Sequence, residues 1–295
     1  MDSERIMEQN KLIFACDYEG TYHLRTGHPE RSEVEAVRKF RRAGNLFGIV
    51  TEMDVFEAWA GHGEYEAEFD FIICSTGAGI ITRTPVGDPM GHLAKLLPCD
   101  GANPYFLGEL YDLFLSVGMS YMCADTPGFK SGDSEAKRCT REFDPSIGFG
   151  CYMHYWTGGG NYCHGEVNKS AFEFIQPFTQ TRAVFKNSIT AEGVASEINH
   201  RYSGKLRSYS VGNSAIVIPA ATNKAAGITR FAKYAGIPLK NVWSFGDGTE
   251  DVCMLKEFNG IAKSDGHPAV LAATDRVASS VAEAIEIIMK ETNKG

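Results

Sequence analysis

Short apolar runs alternate with amphipathic stretches along the first part of the chain. Strands are predicted over residues 12–16, 46–50 and 69–74, and the first of these runs has the uninterrupted apolar pattern typical of a strand buried on both faces. The intervening pattern predicts a helix over 29–43, with Pro29 in its first turn and Gly44 after its end, and a second helical stretch from about Val55. This β-α-β-α-β order predicts a parallel sheet with right-handed crossovers.

The middle of the chain is rich in Gly and aromatic residues and mixes hairpin-like with helical patterns. Helices are predicted there over 109–117 and 191–200, which indicates an inserted α+β domain. The α/β pattern then returns with elements predicted over residues 215–218, 223–235, 242–245, 250–257, 260–262 and 281–291. We therefore predict a first core segment over 1–83, an inserted domain over 84–213 and a second core segment over 214–295.

Composition narrows the class of protein. The chain has 295 residues, 43% of them hydrophobic and 22% charged, as expected of a globular protein of one large or two modest domains. A net charge of -8 disfavours a nucleic-acid partner, although a bound metal ion can still make a local site attractive to an anion. The N-terminus carries no apolar signal segment and the apolar runs are too short for a bilayer. We expect a cytoplasmic protein without membrane contact.

The cysteines raise the question of a zinc site. The 8 cysteines are scattered without a C-x-x-C pair, as expected of free thiols in a reducing compartment. Within one stretch, Cys151, His154, Cys163 and His164 offer four zinc-ligand types. Adjacent Cys163 and His164 cannot easily face one ion from regular structure, so the alternative is a Gly-rich loop whose cysteines and histidines fall together by chance.

Polar residues follow several predicted strands at their carboxyl ends. Asp17 follows the first strand and Thr51 the second, Ser75 and Thr76 follow the third, and Asp247 and Asp251 follow a late one. In open α/β sheets ligands bind outside these ends, so we expect the residues to meet at one edge of one sheet.

A single Asp after a strand is more often a turn residue than a functional one, so the coincidence carries the argument. Asp17, Glu19, Asp247 and Asp251 would repel one another if brought together without a cation. Oxygen ligands with room for water and phosphate suit Mg²⁺. Lys224, at the start of a predicted helix, could neutralise a phosphate oxygen or keep Asp17 ionised, although an exposed Lys would look the same in sequence.

These residues lie in motifs that resemble those of the haloacid dehalogenase superfamily. DYEGT is similar to its motif I, D-x-D-G-T, and Thr51 lies where motif II has Ser or Thr. Lys224 in its NKAAG context is similar to motif III, and GDGTED resembles motif IV, G-D-G-x-N-D. The insertion between motifs II and III resembles the Cof-type branch with a C2B cap. The resemblance implies a Rossmann-like parallel-sheet core with an inserted α+β cap.

The resemblance also implies roles for individual residues. Asp17 would attack phosphorus, Glu19 would act as the general acid and base, and Thr51 and Lys224 would bind the transferring phosphoryl group. The residues after the third strand, Thr76 and Gly77, would contact substrate. The implied ligands of Mg²⁺ are Asp17, the carbonyl of Glu19, Asp247 and Asp251. The expected activity is hydrolysis of a small phosphorylated metabolite, such as a sugar phosphate, through an aspartyl-phosphate, by a monomer or homodimer.

Several positions depart from the family pattern. Glu19 replaces the second Asp of motif I, and Glu52 and Met53 replace the usual Gly-Arg. Thr76 and Glu250 each stand where the branch has Asn. Two alternatives therefore stay open: a phosphotransferase or sugar phosphomutase on the same fold, and a catalytically weakened protein that binds a phosphorylated ligand.

Overall fold

A computed structural model describes most of the chain, and its described parts divide into two compact units. The described residues are 11–23, 29–54, 58, 69–84, 86, 92–97, 101–127, 130, 140–141, 150–156, 162–167 and 169–292. The first unit combines Met1–Glu52, Gly61–Lys95 and Asn223–Gly295, and the second combines Met53–Ala60 with Leu96–Thr222.

The strands of the described residues are numbered here in chain order. They are β1 (Ile13–Asp17), β2 (Leu46–Val50), β3 (Phe71–Cys74), β4 (Gly79–Thr84), β5 (His92–Leu96), β6 (Tyr121–Thr126), β7 (Thr140–Arg141), β8 (Gly150–Trp156), β9 (Tyr162–Val167), β10 (Gln180–Val184), β11 (Leu206–Val211), β12 (Ser214–Pro219), β13 (Val242–Gly246), β14 (Asn259–Lys263) and β15 (Val277–Ala278). The α-helices are α1 (Arg31–Arg42), α2 (Tyr105–Ser116), α3 (Ser188–Arg201), α4 (Lys224–Ala235), α5 (Val252–Glu257), α6 (Pro268–Leu271) and α7 (Val281–Thr292).

The first unit is built on an eight-stranded sheet in the order β15-β14-β13-β1-β2-β3-β4-β5. β1 lies between β13 and β2 and pairs with both in parallel, with Asp17 opposite Val50 and Cys16 opposite Phe245. Every residue of β1, β2, β3 and β13 is buried, because helices and loops cover both faces of a sheet of this kind. The parallel strands therefore bring their carboxyl ends to one edge.

The helix that follows the linker back into this unit has well-defined ends. The side chain of Asn223 caps α4 by accepting a hydrogen bond from the amide of Ala226 at 2.8 Å. The helix ends at Gly236, whose φ of 71° is left-handed, as in many helix C-termini. The Asn223 cap fixes Lys224 as the first residue of the helix.

The second unit contains a seven-stranded sheet in the order β11-β12-β10-β6-β8-β9-β7. Its strand pairs are antiparallel apart from β6 with β8. α2 and α3 share one hydrophobic core with this sheet, in which Phe114 and Ile198 from the helices meet Met122 and Ala183 from the strands.

This architecture confirms the predicted fold class, a mainly parallel α/β core with a separate α+β unit. One predicted element lies elsewhere: the strand over 215–218 was placed in the returning core, but β12 pairs with β10 and β11 in the second sheet. The units accordingly change at Thr222 rather than after residue 213. The first boundary also differs, because β4 and β5 extend the core sheet to Lys95 instead of residue 83. An apolar run predicts a buried strand but not which sheet receives it.

Two predictions fall outside the described residues. The helix from Val55 is described only at Ala58, and the side chains of Cys151, His154, Cys163 and His164 are not described, so the zinc question stays a prediction. Within the part of the chain that is described, no helix is long and apolar enough to cross a membrane.

Candidate active site

Asp17 stands at the carboxyl end of the central strand β1 and is almost fully buried. Its Oδ1 lies 2.7 Å from Nζ of Lys224, the first residue of α4. The two residues are 207 positions apart in sequence, and only the fold brings them together. The predicted nucleophile and the predicted phosphate-binding Lys therefore form a buried ion pair.

Lys224 also reaches a second carboxylate. Its Nζ lies 2.6 Å from Oδ1 of Asp251, which is fully buried at the start of α5. The other oxygen of Asp251 accepts hydrogen bonds from the backbone amides of Asp247 and Gly248, at 3.0 and 2.9 Å. Asp251 thus holds both the ammonium group and the loop after β13.

Burial and charge act together on these groups. Burial raises the pKa of Asp17 well above its usual range, and Asp251 adds to the rise while Lys224 opposes it. Burial likewise raises the pKa of Asp251, with Lys224 again in opposition. Burial acts to lower the pKa of Lys224, but Asp17 and Asp251 outweigh it and raise that pKa well above its usual value. The ammonium group stays charged between the two carboxyl groups.

Asp247 is positioned from the turn that follows β1. The hydroxyl of Thr21 donates to Asp247 Oδ1 at 2.8 Å. Gly20 has a left-handed φ of 86°, and a Cβ at that position would stand 2.9 Å from Asp247 Oδ2. The Gly of the DYEGT motif therefore allows both the turn and the close approach of the Asp247 carboxylate.

The acidic residues of this cluster fit a hard divalent cation. One carboxylate oxygen from each of Asp17, Asp247 and Asp251 lies within 4.8 Å of the other two. Octahedral Mg²⁺ holds oxygens at about 2.0–2.1 Å, so opposite ligands lie about 4 Å apart, close to this spacing. Three carboxylates against the single ammonium group of Lys224 also leave an excess of negative charge, which a divalent cation would neutralise.

Glu19 and Thr51 meet on the other side of Asp17. Thr51 follows β2, is fully buried, and donates its hydroxyl hydrogen to Glu19 Oε2 at 2.8 Å. The backbone amide of Thr51 donates to the carbonyl of Ile73 on β3 at 2.8 Å. This fixed hydroxyl holds the carboxylate of Glu19 at the carboxyl edge of the sheet.

The turn after β3 has an unusual backbone. Ser75 and Thr76 have left-handed φ values of 49° and 52°, and Gly77 follows at 97°. Left-handed backbone is costly for residues with a Cβ, most of all for a β-branched one. Ser75 is fully buried, and its hydroxyl has no hydrogen-bond partner among the described residues. Three consecutive residues with left-handed φ values indicate that the surrounding structure holds this turn in place.

This turn contacts the segments that carry Thr51 and Lys224, the two residues expected to bind the phosphoryl group. The amide of Thr76 donates to the carbonyl of Thr51 at 3.2 Å. On the other side Gly77 packs on the start of α4, and a Cβ on Gly77 would stand 2.2 Å from the carbonyl oxygen of Asn223. Arg230 of α4 donates to the carbonyl of Gly77 at 2.7 Å. The turn therefore sets the distance between Thr51 and Lys224.

The predicted site residues all lie at the carboxyl edge of the core sheet or in the turns beside it. The sequence reasoning missed Thr21, although it belongs to the DYEGT motif, and it missed the left-handed backbone of Ser75. Glu52, which the sequence marks only as a departure from the family pattern, is partly buried. Burial raises the pKa of Glu52, Lys224 opposes this rise, and Glu250 and Glu19 add to it.

Comparison with known proteins gives a match to a family and a match to a curated relative. Residues 164–288 match the family of haloacid dehalogenase-like hydrolases. Over 68 residues the chain is 37% identical to an uncharacterized protein from the pdhA 5′ region of Geobacillus stearothermophilus, a match that covers 23% of this chain and 72% of the relative.

Solved structures share the fold over almost the whole chain. A haloacid dehalogenase-like hydrolase from Bacteroides thetaiotaomicron has a TM-score of 0.67 at 16% identity, covering 94% of this chain and 99% of its own. A second protein of that organism, studied among the phosphatases of the same superfamily, has a TM-score of 0.64 at 18% identity, covering 97% and 96%.

Proposed function

The chain belongs to the haloacid dehalogenase-like hydrolases, in their Cof-type branch, and on that premise we propose that it is a magnesium-dependent phosphatase. It hydrolyses the phosphate monoester of a small metabolite, such as a sugar phosphate, through an aspartyl-phosphate on Asp17. It works in the cytoplasm, as a monomer or homodimer, without a nucleic-acid or membrane partner.

The observation that carries this proposal is the buried contact of Lys224 with Asp17 and Asp251. A buried ion pair is costly to form and is weak evidence for stability alone. Its position at the carboxyl edge of a parallel sheet, where ligands bind in such folds, supports a catalytic use. Phosphoryl transfer depends mainly on positioning and on neutralised oxygens, which this arrangement supplies.

Each residue has a step in the proposed reaction. Oδ of Asp17 attacks phosphorus, and the bond from phosphorus to the leaving oxygen breaks. Glu19, oriented by Thr51, donates a proton to the leaving oxygen and later takes one from the water that hydrolyses the aspartyl-phosphate. Lys224 and Thr51 hold the phosphoryl oxygens. Mg²⁺ would be held by the carboxylates of Asp17, Asp247 and Asp251 and by the backbone carbonyl of Glu19. When bound there, it would neutralise negative charge on the phosphate.

Phosphate release from a panel of phosphorylated metabolites, with and without Mg²⁺, tests the proposal. Release is expected to stop in a chelator and to recover with Mg²⁺. Asp17→Asn should abolish turnover, because a neutral amide cannot attack phosphorus, and Asp247→Asn should weaken metal binding in a folded protein. Asp275→Asn, which changes an exposed carboxylate of the same unit, serves as the matched control.

Four outcomes would redirect the proposal. Full activity in a chelator, or substantial activity in Asp17→Asn, would contradict the metal or the nucleophile. Loss of substrate without accumulation of inorganic phosphate would favour the phosphotransferase or phosphomutase alternative. Tight binding without any turnover would favour the ligand-binding alternative.

A further inference from the structure

Asp247 is held by its backbone as well as by its side chain. Its amide donates to Asp251 at 3.0 Å, and its carboxylate accepts from Thr21 at 2.8 Å. Its carbonyl oxygen accepts a further hydrogen bond, from the amide of His267 at 2.9 Å. His267 lies beyond β14, so this bond ties Asp247 to a segment that supplies none of the expected catalytic residues.

The segment in question is the turn at the end of β14, residues 263–267, which we call the β14 turn. β14 pairs in parallel with β13 in a register that makes Lys263 and Asp247 neighbours at the carboxyl edge. The amide of Gly266 donates to the carbonyl of Lys263 at 2.9 Å and closes the turn. A Cβ on Gly266 would stand 3.2 Å from both Cα and the carbonyl oxygen of Asp247. The β14 turn therefore packs closely on the backbone of Asp247.

Lys263 is the unusual residue of the β14 turn. It is only 7% exposed, although lysine is among the residues least often buried. Its ammonium group forms an ion pair with Asp265, whose side chain is 72% exposed. An ion pair with one exposed partner adds little to stability, whereas burial of the lysine costs free energy. Stability alone therefore does not account for a lysine at this position.

The two lysines that are buried among the described residues reach the site by different routes. Lys224 contacts the carboxylates of Asp17 and Asp251 directly. Lys263 instead bonds to a side chain of its own turn, so its effect on the site passes through the backbone of that turn.

We propose that Lys263 is a positioning residue for Asp247. Its ion pair with Asp265 fixes the shape of the β14 turn, and the amide of His267 then holds the carbonyl of Asp247. The carboxylate of Asp247 is thereby kept within the cluster of three carboxylates. Loss of a group that orients a metal ligand typically lowers metal affinity by about 10- to 100-fold. The consequence for Mg²⁺ rests on the proposed function, whereas the hold on Asp247 does not.

Calorimetric titration of Mg²⁺ into the full chain tests the proposal without turnover. Lys263→Met keeps a buried aliphatic side chain but removes the ion pair, and it should raise the Kd for Mg²⁺ about tenfold. The direction of this change is decisive, because loss of a positive charge beside the site would by electrostatics alone make Mg²⁺ bind more tightly. Lys256→Met, which removes an exposed charge from α5, is the matched control and should change the Kd by less than about twofold.

Two further variants separate charge from shape. Lys263→Arg keeps the charge and can still pair with Asp265, so it should retain most of the affinity for Mg²⁺. Gly266→Ala changes no charge, but its Cβ would stand 2.9 Å from the carbonyl oxygen of Lys263 and 3.2 Å from that of Asp247. The turn must then shift, and Mg²⁺ should again bind more weakly. Gly266→Ala also tests the proposal if Lys263→Met does not fold.

Amide hydrogen exchange supplies a measurement that needs no metal. The amide of His267 is protected by its bond to the carbonyl of Asp247, so it should exchange faster in Lys263→Met than in the wild type. It should exchange in Lys256→Met as it does in the wild type. Amides of the central strand β1 report any global loss of stability and serve as the internal reference.

The outcomes distinguish this inference from the proposed function. Weaker Mg²⁺ binding together with faster exchange at His267 in Lys263→Met supports the positioning role. Mg²⁺ binding that is as tight as in the wild type or tighter overturns it, and so does exchange at His267 that matches Lys256→Met. If the wild type binds no Mg²⁺, the metal of the proposed function is contradicted, and exchange at His267 alone decides whether Lys263 holds Asp247 in place.

Discussion

The candidate active site has two halves that are held in place by different forces. In the acidic half, Lys224 joins Asp17 and Asp251 through ion pairs of 2.7 and 2.6 Å. In the hydroxyl half, Thr51 is fixed through its backbone, which accepts from the amide of Thr76 in a left-handed turn. The acidic half is therefore held by ion pairs between side chains, and the hydroxyl half is held by the conformation and hydrogen bonds of the backbone.

The difference determines how each half responds to change. An arrangement of charges depends on how many cations are present, so a bound ion or a lost ammonium group alters the whole acidic half. An arrangement of backbone depends on steric fit, so a single added methyl group can displace it while charge substitutions nearby matter less. Substitutions that alter only charge or only shape can therefore test the two halves separately.

Removal of the ammonium group should have the largest effect. In Lys224→Met, Asp17 and Asp251 lose their common cation while staying buried, so we expect complete loss of phosphate release and a destabilisation of about 3–5 kcal/mol. Added Mg²⁺ should recover part of the stability, because it binds the folded acidic half. Urea unfolding with and without Mg²⁺ measures this.

Lys233→Met is the matched control, since Lys233 lies on the same helix but is exposed. It should change the free energy of unfolding by no more than about 0.5 kcal/mol. If Lys224→Met behaved like this control, the acidic half would not depend on its central cation.

Glu19→Gln comes next, because Glu19 is held by the hydroxyl half but acts on the leaving group. The amide keeps the shape of Glu19 and can still accept from Thr51, while it can no longer donate an acidic proton. We expect turnover of an alkyl phosphate to fall about 10²- to 10⁴-fold. An aryl phosphate, whose leaving group needs little protonation, should lose less in a single-turnover measurement of its release.

Two results would argue against this role for Glu19. Equal losses on both substrates would point to a general disturbance of the site. Near-wild-type rates on both would mean that only the backbone carbonyl of Glu19 matters.

Gly77→Ala tests the hydroxyl half through shape alone. The new Cβ would stand 2.2 Å from the carbonyl oxygen of Asn223, and φ at this position is 97°. Steric clash and left-handed strain together should cost about 2–4 kcal/mol, and displacement of the start of α4 should reduce kcat. Gly44→Ala is the control, since Gly44 has a φ of 90° in open space and carries the strain without the clash. Equal losses of stability in the two variants would remove the clash from the explanation.

The two halves also differ in how far sequence could predict them. Asp17, Asp247, Asp251 and Lys224 carry their chemistry in their side chains, and their positions after strands or at a helix start bring them to one edge. Their convergence could be predicted because parallel strands align their carboxyl ends. The ion pairs could not be assigned in detail, since Asp251 holds Lys224 and two backbone amides at the same time.

The hydroxyl half and the division into two units could be predicted less well from the sequence. Thr51 and Thr76 could be placed after their strands, but left-handed φ values at Ser75 and Thr76 run against the preference of both residue types. The surrounding structure imposes this left-handed conformation, and no local sequence pattern predicts it. The same holds for β12, whose apolar run fitted the core sheet equally well until its partners were known.

Glu52→Gln should have the smallest effect, and it tests whether the partly buried charge of Glu52 affects stability. Glu52 follows Thr51 in sequence. Burial raises the pKa of Glu52, Lys224 opposes this rise, and Glu250, Glu19 and Asp251 add to it.

An acid whose folded pKa is raised binds its proton more tightly in the folded state, so its contribution to stability is present at low pH. That contribution is lost as pH rises from the unfolded pKa through the folded one. At neutral pH Glu52→Gln should therefore stabilise the protein slightly, by less than about 1 kcal/mol, and this gain should vanish in acid. Urea unfolding of both proteins across this pH range measures the difference. A gain that does not depend on pH would show that the charge of Glu52 is irrelevant to stability.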